Sequence, residues 1–198
     1  MLKKIGLSFL VLLGIFIFIY FIFLQQRYPL HVISHSFKIG DSVDAHNGVI
    51  VYNNGGIYSE SHGKHYTKDS SYYYGKKWQC VEFVKRYYYD YLKHKMPNGF
   101  GHAKDFFNKQ LKQGALNMDR NLLQFYNENS VAPKVNDLLI FDGEFGHVAI
   151  ISKVEEDEIE VIQQNIYMTP REHFNLHYEN GKYTIGERRK PLGWLRLR

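Results

Sequence analysis

The sequence predicts an α+β fold in which N-terminal helices pack on an antiparallel sheet, preceded by one transmembrane helix. Three features predict this class. Residues 5–24 are uncharged and rich in Ile, Leu, Val and Phe, and a run of about twenty such residues is long enough to cross a hydrocarbon core as a helix. Residues 78–126 show helical spacing of apolar residues, whereas residues 137–197 show short apolar segments between turn signals. Helices followed by strands are typical of α+β domains.

The apolar run also divides the chain into three predicted segments. We assign residues 1–27 to a transmembrane anchor, residues 28–38 to a tether and residues 39–198 to one folded domain. No small-x-small cleavage site follows the run, which favours an anchor over a cleaved signal peptide. The lipid bilayer is therefore a predicted partner through residues 5–24.

The charges that flank the run predict its orientation. Lys3 and Lys4 lie next to the short N-terminus, whereas Arg27 and Lys38 lie on the other side. The basic pair favours a cytoplasmic N-terminus, because positive residues are retained on that side. We therefore predict a single-pass protein of the bacterial inner (cytoplasmic) membrane with its folded domain on the outer, periplasmic side.

Composition argues against several partners. The formal net charge is +5, but the basic residues are scattered and no nucleic-acid-binding motif is present, so nucleic acid is not a predicted partner. A single cysteine cannot form an internal disulfide. His62 and His65 have no second His or Cys pair at metal-ligand spacing. Neither a metal nor a cofactor is predicted.

Local patterns predict the elements of the folded domain in chain order. Residues 48–52 are a predicted strand, and the polar segment 57–74 is a predicted surface loop. A helix is predicted from about residue 78 to 93, and two shorter helices near 103–112 and 119–126. The remaining predicted elements are short strands at 137–141, 146–154, 158–163, 173–178, 182–185 and 193–197.

Cys80 is the candidate nucleophile. It lies in the first turn of the predicted helix, where free backbone N–H groups and the positive dipole end favour an anion and lower the pKa of a thiol. The backbone N–H of Cys80, helped by the Gln79 side chain, is the predicted oxyanion donor. A lone cysteine is also commonly a small buried residue, and this alternative stays open. Glu82 points away from Cys80 on a helix, so a packing or salt-bridge role is predicted for it.

His147 supplies the imidazole that a nucleophilic thiol needs. It precedes the apolar residues 148–151 and therefore stands at the mouth of a buried strand. The next strand ends near Gln163 and Asn165, whose side-chain amides can hold the second ring nitrogen. The predicted catalytic residues are Cys80, His147, Gln163 and Asn165, and the predicted substrate contacts are Tyr74, Trp78 and Lys85.

Four ordered motifs carry a resemblance to a known family. They are Lys77-Trp78-Gln79-Cys80-Val81-Glu82-Phe83, Asn136-Asp137-Leu138-Leu139-Ile140-Phe141, Gly146-His147-Val148-Ala149-Ile150 and Gln164-Asn165, with the ending Pro191-Leu192-Gly193-Trp194. In order and spacing they resemble the CHAP family of cysteine, histidine-dependent amidohydrolases and peptidases, above all the amidase domain of glutathionylspermidine synthetase/amidase. The likeness covers about residues 37–198. It implies a papain-like amidase domain in which Cys80 is the nucleophile and His147 the base.

The chain departs from this family at one position. The family usually has a glutamate two residues before the asparagine, where this chain has Gln163. An amide oxygen still accepts a hydrogen bond from an imidazole N–H, but a neutral partner stabilises an imidazolium less than a carboxylate does. Either Gln163 or Asn165 can take the role.

The resemblance and the predicted anchor together imply a membrane-anchored cysteine amidohydrolase or peptidase. Peptidoglycan peptides are the predicted substrate, because an enzyme anchored in the inner membrane would face the wall. Two alternatives stay open. One is a glutathionylspermidine-type amidase, and the other is a non-catalytic, membrane-tethered binding module that keeps the fold without turnover.

Overall fold

Residues 37–198, which the computed structural model describes, are built around one antiparallel sheet of eight strands. The strands in chain order are β1 (Ser42–His46), β2 (Val49–Tyr52), β3 (Lys64–Tyr66), β4 (Tyr73–Lys76), β5 (Leu116–Asn117), β6 (Leu122–Tyr126), β7 (Leu138–Phe141), β8 (His147–Val154), β9 (Glu158–Ile162), β10 (Arg171–Glu179), β11 (Lys182–Ile185) and β12 (Gly193–Arg196). The helices in this part of the chain are α1 (Cys80–Asp90) and a 3-10 helix at Ala103–Phe106.

The eight-stranded sheet has the order β11-β10-β9-β8-β7-β12-β6-β5. The hairpins β1-β2 and β3-β4 form separate two-stranded sheets. Strand β8 is therefore internal, and its first residue lies opposite Phe141, the last residue of β7. This register brings His147 to one edge of the core.

Central strand β7 is buried on both sides because all four of its residues are apolar. Leu138 and Ile140 face the side on which α1 packs, and Leu139 and Phe141 face the other side, as the alternation of side chains along a strand requires. Helix α1 contributes Phe83, Val84, Tyr87 and Tyr88 to the first core. The second core includes Phe174, Leu176, Ile185 and Trp194.

The predicted α+β class is wrong for the described residues, which are mostly β. The predicted helix at 78–93 forms over Cys80–Asp90, but only a 3-10 helix forms within 103–112. The segment predicted as a helix at 119–126 contains strand β6, which pairs with β12 on one side and β5 on the other. A set of N-terminal helices packed on the sheet is therefore replaced by one helix.

The predicted loop at 57–74 also contains regular structure. It holds β3 and the start of β4, which pair as an antiparallel hairpin. The six strands predicted after residue 137 all form, with bounds that differ by two residues or fewer.

The predicted inner-membrane localisation is not supported by the structure. No helix within residues 37–198 combines the length and hydrophobicity needed to span a bilayer. Helix α1 has 11 residues and carries Glu82, Lys85 and Arg86, whereas a span takes about 20 mostly apolar residues. The run 5–24 on which this prediction rested, like the predicted anchor and most of the tether, lies outside the described residues.

Candidate active site

Cys80 is the first residue of α1. Gln79 precedes it in an extended conformation, with φ −82° and ψ 158°. Gly75, with φ +151°, lets β4 pass close to the helix, since a Cβ atom there would lie 3.0 Å from the Cα of Glu82. The first N–H groups of a helix have no intrahelical acceptor, and those of Val81 and of Cys80 itself interact with the thiol.

The surroundings of Cys80 raise the pKa of its thiol to about 11. Burial is the largest cause, and the residue is only 7% exposed. Backbone N–H groups of Val148, Val81 and Cys80 lower the pKa, but they do not outweigh burial. The sequence analysis predicted that the helix terminus lowers the pKa of this thiol. This prediction is wrong, because the net change is upward. The thiol is therefore protonated at neutral pH.

His147 begins β8 directly after a tight turn. Gly146 has φ +68°, and a Cβ atom on it would lie 2.6 Å from the backbone nitrogen of Lys104, so the turn requires glycine. The imidazole Nε2 lies 2.9 Å from Oε1 of Gln163. Burial and the nearby charge of Arg189 lower the pKa of His147 to about 4, although the Gln163 hydrogen bond raises it. The ring is therefore neutral at neutral pH.

Cys80 and His147 line the same cavity, which has a volume of about 470 Å³. The Nε2 atom of His147 is held by Gln163, which leaves Nδ1 as the ring nitrogen available to the cavity. Within residues 37–198, no hydrogen bond joins Cys80 Sγ to the ring. Hydrogen bonds of this kind are often long in unliganded sites and shorten when substrate binds.

Gln79 and Asn165 also line the cavity, but they bind each other and the neighbouring loop. Asn165 donates to Oε1 of Gln79 at 2.7 Å and to the Tyr58 carbonyl at 2.8 Å. The Gln79 amide nitrogen donates to the carbonyls of Tyr58 and Glu60. The N–H groups of the Gln79 amide are thus already engaged. Asn165 makes no hydrogen bond to the imidazole, because its side chain binds Asn54, Tyr58 and Gln79 instead.

The predicted substrate contacts Tyr74, Trp78 and Lys85 lie outside the cavity lining. The Tyr74 hydroxyl donates to Asp90 at 2.6 Å, and the Trp78 ring packs against Tyr52 with ring centroids 4.0 Å apart and an interplanar angle of 38°. Lys85 is fully buried and donates to the carbonyls of Tyr73 and Gly99. Lys85 therefore links the segments of Tyr73 and Gly99, which line the cavity, without lining it itself.

Other residues, which the sequence analysis did not select, form the wall. They include Tyr58, Ser59, Ser61, Lys76, Phe100, His102 and Phe145. Tyr73 lines the cavity as well. Phe100 and Phe145 are 76% and 37% exposed, which is unusual for phenylalanine.

The segment that carries this site is similar to known proteins. Residues 69–165 match the CHAP domain. The chain is 30% identical over 175 residues to the bifunctional glutathionylspermidine synthetase/amidase of Escherichia coli (strain K12), and equally to that of Shigella flexneri. Each match covers 76% of this chain but 28% of the relative, so the chain spans little more than a quarter of those proteins.

Proposed function

Because the chain belongs to the CHAP domain family, as the motifs around Cys80 and His147 predicted, we propose that it is a hydrolase of amide bonds with Cys80 as nucleophile and His147 as general base. The similarity to a synthetase/amidase supports the amidohydrolase class. One observation carries the residue assignment. The thiol and the imidazole line one cavity, and the far nitrogen of the ring is held by an amide oxygen.

The protonation states suggest a general-base route. Since the thiol and the imidazole are both neutral at neutral pH, Nδ1 of His147 takes the thiol proton as Sγ attacks the carbonyl carbon. The backbone N–H of Cys80 donates to the tetrahedral oxyanion. Collapse breaks the C–N bond, and the departing amine takes the proton from Nδ1. A water that gives its proton to His147 then hydrolyses the thioester, which releases the acid and restores the thiol.

The charge of the cavity favours a peptide substrate that bears a carboxylate, such as a stem peptide or cross-link of peptidoglycan. Lys76 lines the cavity and no Asp or Glu does so. Lys64 lies directly opposite Lys76 in the β3-β4 hairpin, which places two ammonium-bearing side chains on the same face. A carboxylate would be attracted to this wall, whereas a polyamine would find no counter-charge there.

Two alternative functions also have support. The 30% identity to glutathionylspermidine synthetase/amidase favours a glutathionylspermidine-type amidase. The neutral Gln163 beside His147 and the raised thiol pKa favour a binding module without turnover.

Amine release by the purified full chain distinguishes the proposed amidase from these two alternatives. The substrates are cell-wall peptide fragments and glutathionylspermidine, and the variants are Cys80→Ala and His147→Ala. His173→Ala is the control, because the side chain of that histidine is exposed on β10. We expect both site variants to abolish release and the control to retain it. Full activity of Cys80→Ala would contradict the cysteine mechanism, and binding of fragments without any release would favour the binding module.

A comparison of charge variants then separates the substrates. Lys76→Glu should weaken hydrolysis of the acidic wall peptide and improve hydrolysis of the polyamine amide. If the unmodified protein hydrolyses glutathionylspermidine faster than the wall peptide, the result would favour the glutathionylspermidine-type amidase.

A further inference from the structure

Gln163 is held on its far side by two groups that only accept hydrogen bonds. Its Nε2 lies 3.1 Å from the carbonyl oxygen of Thr169 and 3.1 Å from Oε2 of Glu172. Glu172 Oε2 in turn accepts a hydrogen bond from the Arg189 guanidinium at 2.8 Å. The imidazole of His147 is thus connected to a carboxylate through one intervening amide.

This arrangement decides which end of the amide faces the ring. An amide carries an acceptor on one side and a donor on the other. Because Thr169 and Glu172 both accept, the NH2 group of Gln163 must face them, and its oxygen must face His147. The oxygen accepts only from an N–H, so the ring proton lies on Nε2 and the Nδ1 lone pair is free toward the cavity.

A reversed amide would produce the wrong tautomer. Its NH2 group would donate to Nε2, which would leave the ring proton on Nδ1, and a protonated Nδ1 cannot accept the thiol proton. A glutamate at position 163 would not have this problem, because both of its oxygens accept. The need to orient the side chain therefore arises from the amide itself.

We propose that Glu172 is a positioning residue, which fixes the orientation of the Gln163 amide and thereby the tautomer of His147. The inference rests on the proposed function only for its link to catalysis. Arg189 strengthens the effect: without Glu172, its free donors would favour an amide oxygen and so reverse Gln163. The side chain of Glu172 is 29% exposed, so it can be replaced without opening the core.

The tautomer is measured directly by two-bond ¹H–¹⁵N NMR of histidine-labelled full chain in a Cys80→Ala background, which needs no turnover. We expect Nε2–H in the parent, a shift toward Nδ1–H in Glu172→Ala, and a smaller shift in Glu172→Gln, whose amide can still accept. Adding Gln163→Glu to Glu172→Ala should restore Nε2–H, because a carboxylate has no donor end. Glu160→Ala is the matched control, since that carboxylate also pairs with an arginine, Arg171 at 2.7 Å.

Activity gives the second readout in the chain with Cys80 intact. Glu172→Ala should lower kcat about 10- to 100-fold with KM unchanged, which is the loss seen when a group that orients a metal-binding histidine is removed. Glu160→Ala should leave kcat unchanged. Parent-like spectra in both Glu172 variants, or failure of Gln163→Glu to restore the tautomer, would overturn the proposal. Failure of the proposed function would show separately, as turnover that survives Cys80→Ala.

Discussion

Nε2 of Gln164 lies 2.7 Å from Oε2 of Glu82, inside the interface between α1 and the end of β9. The same nitrogen donates to the Gln79 carbonyl at 3.1 Å. The hydrogen bonds join the segment that carries Gln163 to the helix that begins with Cys80. They fix the distance between the two halves of the candidate site without taking part in it.

Glu82 is the buried anion of this connection. It is fully buried, pairs with Arg86 at 2.6 Å and accepts from His65 at 2.8 Å, which confirms the predicted salt-bridge role. Burial raises the pKa of its carboxyl group, but the His65 hydrogen bond and the Arg86 charge outweigh it and hold the pKa below the usual value. Glu82→Ala would leave a buried, unpaired guanidinium, and we expect a loss of about 3–5 kcal/mol in the free energy of unfolding.

Urea denaturation of the full chain at pH 7 measures this loss. Glu155→Ala is the control, because Glu155 pairs with Lys153 on the surface and such pairs contribute about 0–1 kcal/mol. Equal losses in the two variants would show that the Glu82 network contributes no more than a surface pair.

The neutral state of the thiol and imidazole has a measurable signature. Since burial raises the pKa of Cys80 to about 11, thiolate absorbance, taken as the difference from Cys80→Ala, should stay low at pH 7 and rise only toward pH 11. Iodoacetamide should react more slowly at pH 7 than with a free cysteine. The pKa of about 4 at His147 predicts that kcat/KM falls on the acid side only near pH 4, where the base becomes protonated. Thiolate absorbance at pH 7 would instead indicate an ion pair.

Lys85 and Cys80 should change stability in opposite directions at alkaline pH. The pKa of Lys85 is lowered by burial from 10.5 to about 8, so between these values the unfolded chain binds more protons and stability rises with pH. The pKa of Cys80 is raised from 9.0 to about 11. Between these two values the folded chain binds more protons than the unfolded chain, so stability falls as pH rises. Each slope is at most about 1.4 kcal/mol per pH unit.

Variants separate the two contributions. In Cys80→Ala, urea midpoints between pH 8 and 10 should rise more steeply than in the parent, and Lys85→Met added to Cys80→Ala should remove the Lys85 share of that rise. An unchanged slope after Lys85→Met would show that Lys85 is not titrating in this range.

Local patterns predicted the parts of the fold that local chemistry decides. The strands after residue 137 are separated by turns, and helix α1 has a clear apolar stripe. The prediction of a helix at 119–126 was wrong, because the spacing of Leu122, Leu123 and Phe125 suits one face of a helix as well as a strand. Pairing with β12 selects the strand, and that partner is about 70 residues away in the sequence.

For the candidate site, the sequence predicted the central pair and two candidates for the residue that holds the imidazole. Motif order identified Cys80 and His147, which line one cavity. The choice between Gln163 and Asn165 depends on where β9 ends: the strand stops at Ile162, and Asn165 turns away with φ +68°. Alternation therefore does not extend to Asn165, and only Gln163 reaches the ring.

The turn before His147 offers a test with a built-in comparison. Gly146 and Gly181 have similar backbone angles, φ +68° and φ +76°, but a Cβ atom would meet the Lys104 nitrogen at 2.6 Å in the first case and no atom within 4 Å in the second. Gly181→Ala should therefore cost only the strain of a left-handed residue, about 1–2 kcal/mol. Gly146→Ala adds a backbone clash, so it should lose more stability and also displace His147, with a fall in kcat that Gly181→Ala lacks. Urea denaturation and amide hydrolysis measure both effects, and equal losses in the two variants would show that the turn does not position the imidazole.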